Sequence, residues 1–180
     1  MKVLRRTQFG NPILRAAARQ LSPEDIRSPK VQELIADMYH TLKIRRYGVG
    51  LAAPQVGRPW ALAIVNIQPT EARPAAKPFS LTVINPQIVR TYGRRAALWE
   101  GCISLGGAQD SVFARVPRYR KILVRYLDGK GEQHERTFED LPAHVLQHEI
   151  DHLSGVLFVD RVKDTTSYVT LAEYKKRFRK

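Results

Sequence analysis

Cysteine is almost absent from this chain: Cys102 is the only one in 180 residues. A disulfide framework within the chain is therefore excluded, and a lone thiol is best kept in a reducing compartment, the cytosol or an organelle matrix. Long apolar runs are missing too. No stretch approaches the ~20 apolar residues of a membrane span, and residues 1–10 are basic without the apolar core of a secretory leader. No internal repeat or low-complexity segment interrupts the chain, so one domain over residues 1–180 is expected. Acidic residues are scarce, 17 against 30 Lys and Arg, for a formal charge of +13. The excess is spread out. Residues 1–19 carry Lys2, Arg5, Arg6, Arg15 and Arg19 with no acid, and residues 113–130 set Arg115, Arg118, Arg120, Lys121, Arg125 and Lys130 against Asp128 alone. The tail sets Lys175, Lys176, Arg177, Arg179 and Lys180 against Glu173. Such a charge draws polyanions. A solvated basic exterior is the simpler reading, and docking on a nucleic-acid-rich partner such as a ribosome is the other. No dedicated DNA- or RNA-binding motif is present.

What remains is the composition of a globular protein, 43% hydrophobic and 26% charged. The first ~25 residues read as irregular. Ser28-Pro29 opens a helix whose Val31, Leu34, Ile35, Met38 and Leu42 recur at helical spacing, ending near Arg45-Arg46. Trp60 to Asn66, Leu81 to Ile84, Gln87 to Val89 and Lys121 to Tyr126 read as strands, with Asn85-Pro86 breaking the middle pair. Asp128 to Gly131 forms a hairpin turn from which Gln133 to Phe138 returns. A second helix is expected from Asp140 to Ser154 with Gly155 closing it, then a short strand over Val156 to Val159 and a basic third helix over 165–180. The class is α+β: short, mostly antiparallel strands round a central helix, with an N-terminal and a C-terminal helix.

The chemistry concentrates in that central helix. Gln147-His148-Glu149-Ile150-Asp151-His152 places two imidazoles four residues apart on one face. His-Glu-x-x-His on a helix is a signature of metal-assisted hydrolysis, the glutamate reaching a water at the metal. Cys102, in Glu100-Gly101-Cys102-Ile103-Ser104, offers a third ligand. Two neutral imidazoles and a thiolate leave one tetrahedral position open, as in catalytic sites. Soft sulfur suits zinc or ferrous iron, and spacing does not choose between them. Gly48-Val49-Gly50-Leu51-Ala52-Ala53-Pro54-Gln55 brings backbone close to a substrate and then supplies an amide donor. Aimed at a developing oxyanion, such a donor is worth ~3–4 kcal/mol. Alone, this third segment is weakly specific.

Together, in this order, the three segments resemble the motifs GxGLAAxQ, EGCxS and QHExDH of the peptide deformylases. The resemblance runs from Asn11-Pro12-Ile13-Leu14-Arg15 to Asp160-Arg161. It implies an α+β fold and removal of the formyl group from N-formylmethionyl nascent peptides. It implies one divalent metal on Cys102, His148 and His152, natively ferrous iron, with zinc, nickel or cobalt in preparations. Glu149 would be the general base and then the proton donor, and Gln55 with the Ile103 backbone N–H would hold the oxyanion. Gly50 would offer backbone hydrogen bonds to the peptide, and Val49, Leu141, His144 and Val145 would line the substrate pocket. The basic tail resembles the C-terminal helix by which some deformylases dock near a ribosomal exit tunnel.

Two departures stand out. The family's usual proline after EGCxS is replaced by Gly106, followed by Gly107, in a loop that is a few residues long. His144 occupies a position that is typically apolar, one turn before His148, and is expected to alter substrate selectivity more than metal content. Glu100 is expected to pair with Arg118, and Asp151 to orient the site from outside the ligand set. His40 and His134 are expected at the surface. A deformylase-like enzyme with altered preference and an HExxH metallopeptidase remain alternatives, as does a basic ribosome- or RNA-associated binding protein. The metallopeptidase reading gives Cys102 and Gln55 no role. The binding reading gives Glu149 none.

Overall fold

The fold was read from a computed structural model that describes residues 1–45, 48–70, 73–107 and 110–178. Arg46, Arg179 and Lys180, which belong to the expected helix end and the basic tail, lie outside the described residues.

The N-terminal segment is extended apart from a 3-10 turn at Pro12–Leu14, whose cap Asn11 accepts from the Ile13 N–H at 3.0 Å. Helix α1 (Pro23–Arg27) starts at a capping box between Ser22 and Asp25. Helix α2 (Pro29–Arg45) follows at once. Its stripe is the expected one: Val31, Leu34, Met38 and Leu42 are buried, with Ile35 half-covered. Each fully buried side chain of this kind stabilises the fold by about 1.5–3 kcal/mol.

Strands β1 (Gly50–Ala52), β2 (Leu62–Ile67), β3 (Phe79–Gly101), β4 (Val112–Leu127) and β5 (Gln133–Glu139) pair in sequence order, all antiparallel. Two of them are long. Strand β3 runs unbroken through Asn85-Pro86, which the sequence reading took as a break. The missing proline N–H is absorbed by a register shift between Ile84 and Gln87. Asn85, at φ 50°, holds that bulge by exchanging two 2.9 Å side-chain bonds with the backbone of Leu21.

Helix α3 (Asp140–Leu153) lies across the sheet. Ala143, Val145, Leu146 and Leu153 pack against Ala63, Val65, Val83, Ile122, Val124 and Phe138. The helix closes at Gly155, whose φ of 72° and the Arg15 carbonyl 2.4 Å from where a Cβ would stand leave no room for another residue. Val156–Val159 is not a strand. Helix α4 (Phe158–Arg161) forms instead, because the Asp160 carboxylate accepts from the Leu157 N–H at 2.8 Å and caps it. The last helix is shorter than expected. Thr165–Ser167 is a 3-10 turn capped by Asp164, β6 (Val169–Thr170) pairs with β4, and only Leu171–Phe178 is helical (α5). His40 and His134 are half-buried rather than fully exposed, and His134 Nε2 lies 3.0 Å from Asp128 Oδ2.

Candidate metal centre and active site

Three chain segments deliver the site. Strand β1 leads into a 3-10 turn, Ala53–Val56, that carries Gln55. The end of β3 carries Glu100 and, just beyond, Cys102. The buried face of α3 carries His148, Glu149 and His152. Cys102 Sγ lies 3.2 Å from His152 Nε2, which lies 3.2 Å from His148 Nε2. All three residues are buried, and their donor atoms lie within 4.8 Å of one another.

Glu100 fixes the orientation of His148. Its Oε1 lies 2.7 Å from His148 Nδ1, so the carboxylate holds a proton there and turns Nε2 toward Cys102 and His152. The same carboxylate accepts two bonds from Arg118, at 2.8 and 2.9 Å, and one from His144 Nε2 at 2.8 Å. Arg118 then reaches Asp151 Oδ2 at 2.6 Å, and Asp151 also takes a bidentate grip from Arg161. The sequence reading had Glu100 with Arg118 and placed Asp151 outside the ligand set. It missed the Glu100–His148 bond. The signal existed: Glu100 and Cys102 are two apart at a strand end, hence on one face.

Burial alone would push the Cys102 thiol up, but the imidazoles of His152 and His148 outweigh it and hold the thiol well below its ordinary range. Burial would lower His148; the Glu100 carboxylate and the Cys102 sulfur outweigh it and hold the imidazole well above its usual value. Glu149 goes the other way. Burial pushes its carboxyl up to about 7, partly countered by His148 and His152. Its Oε2 and the Nδ1 of His152 have no hydrogen-bond partner among the described residues. An anionic sulfur and two imidazole nitrogens converging on one point, beside an unsatisfied carboxylate, fit a divalent cation with its water.

Gln55 is aimed. The Ala52 N–H occupies its Oε1 at 2.8 Å, so its Nε2 faces Cys102 Sγ at 3.4 Å and Ser104 Oγ at 3.3 Å. The Leu105 N–H holds the Cys102 carbonyl at 3.0 Å. In a trans peptide this turns the Ile103 N–H the opposite way. Arg6 Nη1 anchors the Ile103 carbonyl at 2.6 Å. Next to it, the Thr7 N–H bonds Gln55 O at 2.7 Å and the Phe9 N–H bonds Ser104 O at 2.9 Å. Gly50 lies against Glu149: a Cβ there would stand 2.2 Å from Glu149 Oε1 and 2.8 Å from Val145 Cγ1.

Leu141 and His144 line a cavity of about 190 Å³ with Leu98, Arg120 and Asp140. Val145 is buried beside Gly50, and Val49 is half-buried against the core under α3, so neither lines that cavity. Gly106 has φ 103° with the Asp110 carbonyl 2.3 Å from an added Cβ. Proline, locked near −65°, could not stand there. The loop path after Cys102 therefore requires a glycine at this position. Ala108 and Gln109 lie outside the described residues.

A buried HExxH helix joined by a thiolate from a strand end defines a metal-dependent amide hydrolase. Residues 3–168 match the polypeptide deformylase family model, and the chain belongs to the peptide deformylase family. It is 43% identical over 155 residues to a peptide deformylase of Chlorobaculum parvum, covering 86% of this chain and 77% of that one. It is 39% identical over 169 residues to peptide deformylase 2 of a Nostoc species, covering 93% and 90%. The fold overlays a Met-Ala-Ser-bound class I type b peptide deformylase of Acinetobacter baumannii with TM-score 0.81 and 34% identity, over 89% of this chain and 98% of that one. An actinonin-bound enzyme from Synechococcus elongatus gives 0.78 and 35%, over 93% and 84%. The protein is a metal-dependent hydrolase that removes formyl groups from nascent chains.

Proposed function

We propose that Cys102, His148 and His152 hold one divalent cation, ferrous iron in the native enzyme, and that Glu149 moves the protons of deformylation. When bound, the cation supplies Lewis acidity and lowers the pKa of a water toward about 7. Glu149 takes the proton of the attacking water and returns it to the departing amine, so formate and a free N-terminus leave together. A buried carboxyl lifted to about 7 is matched to both halves of that task. The Gln55 amide and the Ile103 N–H receive the charge that develops on the formyl oxygen. Gly50 offers backbone to the peptide. Leu141 and His144, with Val49 and Val145 behind, shape the space for the first side chain.

The observation that carries this reading is the meeting of one sulfur and two Nε2 atoms beside the unpartnered Glu149 Oε2. Anaerobic purification, metal analysis and formate release from formyl-Met-Ala-Ser test it together. About one iron per chain with steady formate release is expected, and intact peptides blocked at both ends should not be cut. Internal cleavage without formate would favour a metallopeptidase instead.

Among the described residues no helix is long and apolar enough to cross a membrane. The lone thiol and the substrate support a single catalytic domain working in the cytosol or an organelle matrix. Its basic exterior supports docking at the ribosome, where formylated chains emerge.

A further inference from the structure

The β3–β4 ribbon contains no acid between residues 79 and 99 or between 112 and 127. Its register pairs Tyr92 with Lys121, Arg95 with Tyr119, Ala97 with Pro117, Trp99 with Arg115 and Gly101 with Phe113. Directly opposed residues share a face, and so do alternate residues of a strand. Lys121, Tyr119, Pro117, Arg115 and Phe113 therefore form one row. The intervening Arg118, Ile122 and Val124 turn inward to α3 and its neighbours. The row is the outer face, on the side of the sheet away from the metal centre, with Tyr119 half-buried and also packed against the core that α3 covers.

That face alternates cations with rings. Arg90 and Lys121 sit over the Tyr92 ring at 5.1 and 5.5 Å, and Arg95 sits over Tyr119 at 5.0 Å. At the far end Tyr174 of α5 stacks on Phe113 at 4.9 Å and meets Trp99 edge-on at 5.4 Å, which sets Lys175, Lys176 and Arg177 beside the row. The acids nearby belong to other elements. Glu139 bonds Lys121 at 2.7 Å, Glu135 bonds Arg125 at 2.8 Å, Glu173 bonds Lys176 at 2.7 Å, and Asp164 feels Arg115. Arg90 and Arg95 have no acidic partner among the described residues and are exposed. Arg115 is exposed as well.

We infer that this outer face is a docking surface for the phosphate backbone of RNA. The inference rests on the reading of the basic exterior as a polyanion contact and gives that contact a place. The ten strand residues from Arg90 to Trp99 span about 30 Å, long enough for several phosphates. The Tyr92 and Tyr119 rings are already engaged by the protein's own cations, so contact is assigned to the phosphate backbone, independent of sequence. The rings also hold the guanidinium groups in place before binding. An anionic bilayer finds no apolar anchor here: Val89, the large apolar residue exposed along the ribbon, sits at a bulge between Ile88 and Arg90. Because α3 lies on the opposite side of the sheet, docked RNA leaves the catalytic cleft open to a peptide.

The test uses the metal-loaded full chain, a labelled 20-nucleotide oligouridylate, a DNA duplex and phosphatidylserine vesicles, each titrated at several salt concentrations. The combined variant Arg90→Gln, Arg95→Gln, Arg115→Gln is compared with Lys175→Gln, Arg177→Gln. The ribbon variant should bind the RNA at least tenfold more weakly. The slope of log K against log salt should fall in magnitude by about 2, from ~0.7 per phosphate contact. Its formate release should be unchanged, which shows that it folds. RNA binding unchanged in the ribbon variant but lost in the α5 variant overturns the placement while keeping the polyanion reading. No salt-sensitive RNA binding by the native chain, or binding to vesicles or DNA alone, overturns both.

Discussion

The Glu100 carboxylate stands 2.7 Å from His148 Nδ1, and it is the group that turns this imidazole toward the other metal ligands. Replacing it by glutamine keeps the shape but sets an amide donor among donors. The Glu100→Gln variant should bind metal about 10–100-fold more weakly, read as the extent of iron or zinc release to a competing chromogenic chelator. Unchanged release would remove Glu100 from the support of the site.

His144 binds the other oxygen of the same carboxylate, but three further bonds remain when it goes. It also lines the cavity with Leu141. His144→Ala should therefore keep its metal and shift the ratio of kcat/KM between formyl-Met and formyl-norvaline peptides several-fold. A loss of metal in step with activity would argue for a structural role alone.

Glu149→Ala should retain a full complement of metal while formate release drops about 10²–10⁴-fold, the range for a lost general acid–base group. Comparable turnover in variant and native enzyme would assign the proton transfer elsewhere.

The same carboxyl makes a pH prediction for the metal-free protein. Its folded value is about 7 against an ordinary 4.5, with burial the main cause. The proton is held more tightly in the folded state, so this group's stabilising contribution is complete below about pH 4.5 and lost as pH rises through about 7. Glu149→Gln should be roughly as stable as the native chain at pH 5. At pH 8 it should be more stable by about 3 kcal/mol, measured by urea unfolding after chelation. Equal stability at both pH values would show that the ionised carboxylate costs nothing there.

Gly50→Ala drives a methyl into Glu149 and Val145. Overpacking of this kind costs about 1–3 kcal/mol, and it displaces the Glu149 carboxyl as well. Both the melting temperature and kcat should fall, with the metal content retained.

The meeting of Cys102, His148 and His152 was legible because the helix repeat brings His148 above His152 and the EGC segment puts Cys102 just past the end of a strand. Gln55 was legible from its motif alone, since nothing in its spacing announces that the Ala52 N–H would orient its amide. The inter-element bonds were not legible. Glu100 meets His144 and His148 across 44 and 48 residues of chain, and no local pattern measures such a separation. The errors in element assignment share a cause. Asn85, Asp160 and Asp164 each use a side chain to satisfy backbone groups, and so carry a strand through a proline, turn a supposed strand into helix, and delay the last helix.

The segment Arg6–Phe9 bonds Gln55 O, Ile103 O and Ser104 O, on both sides of the donors proposed for the oxyanion. The leading end of the polypeptide thus acts as a clasp across two loops that are otherwise far apart in the chain. Losing these bonds would loosen the candidate cleft itself, although none of the residues that donate them reaches into it.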